Sequence, residues 1–339
     1  MALRFGIFDQ LEQPGGVPMH QLYADHIEMV VKAEQAGFWG YHKSEHHMIP
    51  LDAAPSINLY LAAVAQHTSR IRLCSLVHLL PFYHPLRLAE ELCMLDHLSL
   101  GRFEFGYGKG ISIPEHILWG LTADEAVERT EEALDIVLAA MQCSGEDFDY
   151  DGRFWSFAKV PIEFAPYQRP YMPLWRPGTL AAAAEQGVST MAGGPLAMVA
   201  KAVADYQAIY QPGTGVGRHH TPTVGGIRRI YVAPTDAEAE ARARAAWANF
   251  SHNLTKLFRR YEMTPPNDPT LGGDFDKALA VEAVVVGSPQ TMREHVERFG
   301  AETGTDYFVG TFAWGDIIGD DLRRSFDLFA EHVALPLAA

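Results

Sequence analysis

The chain has 339 residues, 48% of them hydrophobic and 20% charged, as in ordinary globular proteins. Its 27 Lys and Arg face 42 Asp and Glu, and the formal charge of −15 repels phosphate backbones and anionic lipid, which argues against nucleic-acid or membrane partners. Cys74, Cys93 and Cys143 are scattered without metal-ligand spacing, and no apolar run resembles a signal peptide or a membrane span, so a reducing, cytoplasmic location is expected.

Phe5 to Phe8 reads as a short buried strand, and His20 to Ala36 as a helix with Tyr23, Ile27, Val30 and Val31 on its core face. A strand of about eight residues from Gly40 toward His47 follows, then a helix through Leu59, Ala62, Ala63 and Ala65. Ile71 to Leu80 is a third strand closed by Pro81. Leu86 to Leu98 is helical behind Pro85, which suits a first turn. Arg102 to Tyr107 is the fourth strand and Ala123 to Met141 an amphipathic helix. Tyr150 to Trp155 reads as a small hairpin insertion turning at Asp151-Gly152. Further strands fall at Met172 to Trp175, Val188 to Met191, Ile227 to Val232, Ala283 to Val286 and Tyr307 to Phe312. The helices between them cover Leu180 to Gln186, Leu196 to Tyr210 and Asp236 to Phe258, and Leu322 to Val333 closes the chain.

About eight strand-helix alternations without a shift in composition predict an α/β fold, a single (β/α)8 TIM barrel spanning residues 1–339. The competing doubly wound sheet lacks a strand running into a Gly-x-Gly-x-x-Gly helix start. Gly213 to Gly217 follows a helix and reads as a flexible connection. From Arg259 to Glu282 the pattern fails, as Thr264-Pro265-Pro266 and Gly272-Gly273-Asp274 are loop formers, and a mobile lid is expected there.

Glu45-His46-His47 stands at the carboxyl end of the second strand, where barrels place their chemistry. Adjacent strand residues point to opposite faces, so the two imidazoles are poorly placed to share a metal ion, and no His-Glu-x-x-His helix completes a set. By strand parity His46 shares the face of His42 and Ser44. There it serves either as a hydrogen-bonded core histidine or as an acid, base or oxyanion donor. Gly106, Gly108 and Gly110 after the fourth strand let backbone approach a flat or phosphorylated ligand, and Lys109 adds a cation.

Gly37-Phe38 with Glu45-His46-His47, Leu80-Pro81 with His84-Pro85, Leu95-Asp96 through Gly101-Arg102-Phe103, and Thr179 through Gly187 occur in an order that resembles the bacterial luciferase-like flavin monooxygenases. The resemblance implies a barrel that takes FMN as FMNH2 from a separate reductase, forms a flavin C4a-hydroperoxide with O2, and oxygenates a small apolar molecule. It implies His46 as the catalytic histidine, with Glu45 or His47 orienting neighbours. Leu76-Val77 would lie under the flavin ring, often as a cis peptide in this family. Lys109, Arg129, Arg176 and Thr179 would hold the phosphate, with Gly108 and Trp175 also among the cofactor-binding residues. Gly108 replaces a reactive cysteine of light-emitting members, and Trp175-Arg176-Pro177 a more polar segment, which speaks against bioluminescence. Phe8, His78, Phe82, Trp119 and Trp314 are candidates for an apolar substrate pocket or for core. A homodimer is expected. The competing functions are an F420-dependent dehydrogenase on the same barrel and a non-catalytic partner subunit.

Overall fold

The structure is a computed structural model, and it describes residues 2–143, 145–178, 180–265 and 273–338. Eight parallel strands form its centre: β1 (Arg4–Asp9), β2 (Gly40–Lys43), β3 (Arg72–Ser75), β4 (Phe103–Gly108), β5 (Leu174–Trp175), β6 (Thr190–Ala192), β7 (Val224–Val232) and β8 (Tyr307–Thr311). Neighbours pair in chain order, with Ile7 against Tyr41, Tyr41 against Leu73, Leu73 against Phe103 and Phe105 against Leu174. Beyond β6, Met191 pairs Gly225, Ile227 pairs Val309, and Phe308 returns to Phe5. A parallel bridge between Trp175 and Ser189 joins β5 to β6, carried by Arg176 N–H to Ser189 O (2.8 Å) and Ser189 N–H to Leu174 O (2.9 Å). The ring is closed, as expected for a TIM barrel.

Strand alternation sorts the side chains. Cys74, Leu76, Trp175, Met191, Tyr307 and Val309 pack together inside the ring. Phe5 and Phe308 face outward, against Phe38 and Phe329 beneath the helices. Tyr307 reaches across the interior to His42 Nε2 (2.6 Å), and it has room because residue 6 is glycine: a Cβ there would lie 2.2 Å from the phenolic oxygen. Burial pushes His42 down to about 3, so it is a neutral core histidine.

Several elements differ from the sequence expectation. β2 stops at Lys43 because the Lys43 ammonium and the Ser44 hydroxyl turn to the buried Asp52 (2.6 and 3.2 Å), so Glu45-His46-His47 lies in a loop and strand parity does not orient it. The third strand breaks after Ser75. The Leu76-Val77 peptide is cis, and His78–Leu79 pairs again with the end of β4. Val284–Gly287 is not a stave of the ring and flanks the outer half of β7. The insertion is a hairpin, Asp147–Asp151 against Ser156–Pro161. Its turn is four residues long, not the two-residue Asp-Gly form, because the Glu132 carboxylate gathers the N–H groups of Arg153, Phe154 and Trp155.

In the 259–282 segment, residues 266–272 lie outside the described residues. The flanks are not free. Phe275–Ala280 is a helix capped by Asp274, Phe275 packs on Trp247, and the Trp247 indole donates to Gly273 O (2.6 Å). The expected lid over 259–282 thus includes an ordered helix, Phe275–Ala280, docked on Trp247. Sequence reading also passed over the helix Ile113–Leu118 between β4 and the long helix Ala123–Gln142.

Candidate active site

The carboxyl ends of the strands enclose one cleft in two connected parts. A cavity of about 270 Å³ lies over the ring and is bounded by residues just past β1 to β6 and by Arg229 and Thr311 of β7 and β8. A second, of about 400 Å³, extends from it past β4 and β5, and the two share Val77, Gly110, Ile111 and Pro177. A larger depression, about 990 Å³, lies outside the ring between the helix Pro85–Leu98 and the hairpin, far from the strand ends.

His46 borders the 270 Å³ cavity beside the cis peptide. Its Nδ1 lies 3.3 Å from Oε2 of Glu115, and Oε1 of Glu115 accepts the His47 N–H at 2.6 Å. Burial alone would lower the His46 pKa, but the adjacent Glu115 carboxylate reverses this and raises it. Glu115 itself is buried, which opposes ionisation, yet His46 and the His47 amide hold its pKa below the usual value. Glu45 faces the other way in its bonding: its carboxylate accepts from His47 Nε2 (2.8 Å), the Tyr83 hydroxyl (2.8 Å) and Leu79 N–H (3.4 Å). His47 packs against Trp119 and Phe82. Of the expected catalytic trio, His46 presents its ring to the cleft and Glu45 and His47 brace the loop that carries it.

At the far end of the 400 Å³ cavity stand Gly108, Lys109 and Arg176. Lys109 is exposed, and its carbonyl accepts from His116 Nε2 (2.7 Å), which fixes the loop. Gly110, which borders both cavities, has φ +84°, a conformation that favours glycine, and a Cβ there would lie 3.2 Å from Leu79. Arg176 lies over the Tyr107 ring and pairs with Glu131 (2.7 Å), an acid on the same wall. Two of the expected residues do not border this cavity. Arg129 pairs with Glu125 (2.8 Å) and lies 4.5 Å over Phe154, because its face of the helix turns to the hairpin. Trp175 points into the ring, where its indole donates to Glu104 and meets His42 edge to face. Thr179 lies outside the described residues.

Across the ring the wall is made by Phe8, Gln10, Ile227, Arg229 and Thr311. Of the aromatic candidates only Phe8 lines this cavity. His78 binds Asn58 (2.8 Å), Phe82 stacks on Trp119, and Trp314 packs on Trp247, so all of these are packing residues. Among the described residues no cluster of His, Cys, Asp and Glu has the geometry to hold a metal ion. Sequence reading missed Glu115, Glu131, Gln10 and Arg229. For Glu115 a signal existed in Ser112-Ile113-Pro114-Glu115, a Ser-x-x-Glu helix start.

Residues 3–307 match the family described as luciferase-like monooxygenase. A relative from Sinorhizobium fredii, the uncharacterized protein y4wF, is 35% identical over 93% of this chain and 92% of its own. The oxygenase component of the flavin-dependent trigonelline monooxygenase of Acinetobacter baylyi is 28% identical over 74% of this chain and 70% of its own. Among solved structures, the oxygenating constituent of 3,6-diketocamphane monooxygenase from Pseudomonas putida, in complex with FMN, superposes with a TM-score of 0.79 at 21% identity over 100% and 99% of the two chains. The F420-dependent tetrahydromethanopterin reductase of Methanopyrus kandleri shares the fold at a TM-score of 0.71 and 16% identity over 99% and 100%.

Proposed function

The chain belongs to the luciferase-like monooxygenase family, and from that premise we propose that it is the oxygenase component of a two-component system, using FMNH2 from a separate reductase. The observation that carries this reading is the continuity of the cleft: His46 and the pair Lys109 and Arg176 open on the same hollow at the strand ends. The residues present fit a flavin mononucleotide. Side-chain-free backbone at Gly108 and Gly110 admits a flat ring beside Leu76-Val77, and two cations on an otherwise acidic protein stand where a phosphate would lie.

When bound, reduced FMN would supply the electrons that activate O2 and deliver one oxygen atom to the organic substrate. The protein does the rest. Lys109 and Arg176 anchor the phosphate. Glu115 orients the His46 ring by accepting from Nδ1–H and favours its protonated form, in which Nε2–H also donates to an oxygen in the cleft. Glu45 and His47 lock the loop, and Phe8, Leu76, Leu79 and Ile227 exclude water from the reacting atoms.

We further infer a homodimer. The helices Ile57–His67 and Pro85–Leu98 lie side by side and expose Leu59, Met94 and Leu98, an apolar face suited to a second copy. Buried Cys74 and Cys93 suit a reducing cytoplasm, and among the described residues no helix is long and apolar enough to cross a membrane.

Titration with FMN and with F420, followed by oxygen-electrode measurements with photoreduced FMN, tests the assignment. FMN binding at micromolar concentration, with O2 uptake that yields oxygenated product, is expected. F420 binding with hydride transfer and no O2 uptake would replace the monooxygenase by a dehydrogenase, and failure to bind any flavin would leave a non-catalytic subunit.

A further inference from the structure

Two opposite charges are buried at the base of the loop that carries His46. Lys43 is the last residue of β2 and Asp52 follows the loop, and neither side chain is exposed at all. The Lys43 ammonium donates to Asp52 Oδ2 (2.6 Å) and to the Ser44 carbonyl (2.7 Å). The Ser44 hydroxyl donates to the same carboxylate oxygen (3.2 Å), and Oδ1 accepts the Ala54 N–H (2.9 Å). On the main chain, the Lys43 carbonyl accepts the Leu76 N–H at 2.7 Å. One residue of the ring thus holds the cis peptide by its carbonyl and the return of the His46 loop by its ammonium.

Stability does not account for this pair. Each ion gives up its hydration, and their attraction offsets that loss no better than an apolar pair of similar volume would. Burial pushes the Asp52 pKa up to about 6, although Lys43 and the Ala54 amide favour the carboxylate. What two buried charges do supply is a charge-assisted bond with a narrow range of length and direction. The loop needs such a reference. Met48 at its apex is 75% exposed, and Glu115, which holds the imidazole, stands on the short helix Ile113–Leu118 outside the ring.

Resting on the flavin reading of the cleft, we propose that the Lys43–Asp52 pair is a positioning device for the reaction. It locks the His46 loop against Leu76-Val77, so that the imidazole stays in register with a ring bound on that peptide. Neither residue borders either cavity, so both act through His46, which keeps the chemistry.

The test uses Lys43→Met and Asp52→Asn, singly and together. The double variant removes both charges at nearly constant volume and leaves an amide oxygen for the Ala54 N–H. Each single variant leaves a buried group without its partner and should melt well below the wild type, whereas the double variant should melt at or above it. Asp52 raises the His46 pKa and Lys43 lowers it, so removing both together leaves Glu115 as the main influence. Glu45 and Arg229 on the cavity wall and Glu12 past β1 are unchanged. The His46 ring resonance, assigned by its loss in His46→Gln, should nevertheless broaden and titrate at lower pH in the double variant, because a slack loop loses the Glu115 contact for part of the time. FMN affinity, read by flavin fluorescence, should be retained, since Lys109 and Arg176 are untouched. A double variant that melts well below the wild type or does not fold overturns the proposal, because the pair would then be an element of stability. A stable double variant with an unmoved, sharp His46 resonance also overturns it, as does loss of FMN affinity, which would give the pair to the cofactor. Failure of the wild-type protein to bind FMN removes the flavin reading instead, and melting and His46 titration are still scored on the flavin-free protein.

Discussion

Glu115 grips the active-site loop at two points, with one carboxylate oxygen 3.3 Å from His46 Nδ1 and the other accepting the His47 amide at 2.6 Å. One acid thus sets both the place of the loop and the protonation of its histidine. Glu115 raises the His46 pKa against the opposing effect of burial. In Glu115→Gln the attraction is gone and burial dominates, so His46 should lose its proton at lower pH than in the wild type. The limb of the pH–rate profile that reports His46 should therefore move to lower pH, and the His46 ring resonance in an NMR titration should follow it. An unmoved profile would remove Glu115 from any part in catalysis.

The phosphate end of the cleft contains a built-in competitor. Arg176 pairs with Glu131 at 2.7 Å, and a phosphate arriving there must share the guanidinium or displace the acid. Glu131→Gln should tighten FMN binding about two- to fivefold, in line with a partly exposed ion pair. Arg176→Ala should weaken it, and Arg129→Ala should leave it nearly unchanged, because Arg129 is spent on Glu125 and Phe154. Fluorescence titration of the three variants gives the ranking directly.

The same contrast shows what was legible beforehand. The barrel could be read because each stave is a short apolar run and each covering helix carries a core stripe, so local periodicity and global fold agree. His46 at the rim followed from its place after a strand. Trp175 did not, because which face of a two-residue strand looks inward depends on its partners, here β4 and Ser189. Arg129 was hard to place for a related reason: helix periodicity locates a side chain on a face, but only the docked hairpin shows that this face turns to Phe154. Arg229 sits in a strand whose interior reads as apolar core, and nothing local distinguishes it from Arg228. That neighbour points outward and lies over Phe299.

Leu59, Met94 and Leu98 are 75%, 61% and 47% exposed on two adjacent helices, and this is the face we assign to a second copy. Met94→Glu would bury a charge at the centre of the proposed contact between two copies. Light scattering after size exclusion should give twice the 37.5 kDa chain mass for the wild type and the single mass for the variant, with FMN affinity retained. A monomeric wild type at working concentrations would end the homodimer assignment.

Glu12 offers a test of how burial beside Arg229 is balanced. It follows β1, is buried, and accepts one bond from Asn253 Nδ2 (2.9 Å). Burial pushes its pKa up to about 7, although Asn253, Gly315 and Arg229 all favour the charged form. In the unfolded chain the group titrates near 4.5. Below that value both states hold the proton and there is no penalty. Between 4.5 and about 7 the folded state keeps a proton that the unfolded state has released, so stability falls as pH rises, and above about 7 the loss is complete. The span corresponds to something on the order of 3 kcal/mol. Glu12→Gln keeps the acceptor for Asn253 and does not titrate. Its melting temperature relative to wild type should climb steadily from pH 4.5 to 7 and then level off. A constant difference across that range would mean that Glu12 is ionised throughout and that Arg229 is paid back by a full negative charge beside it.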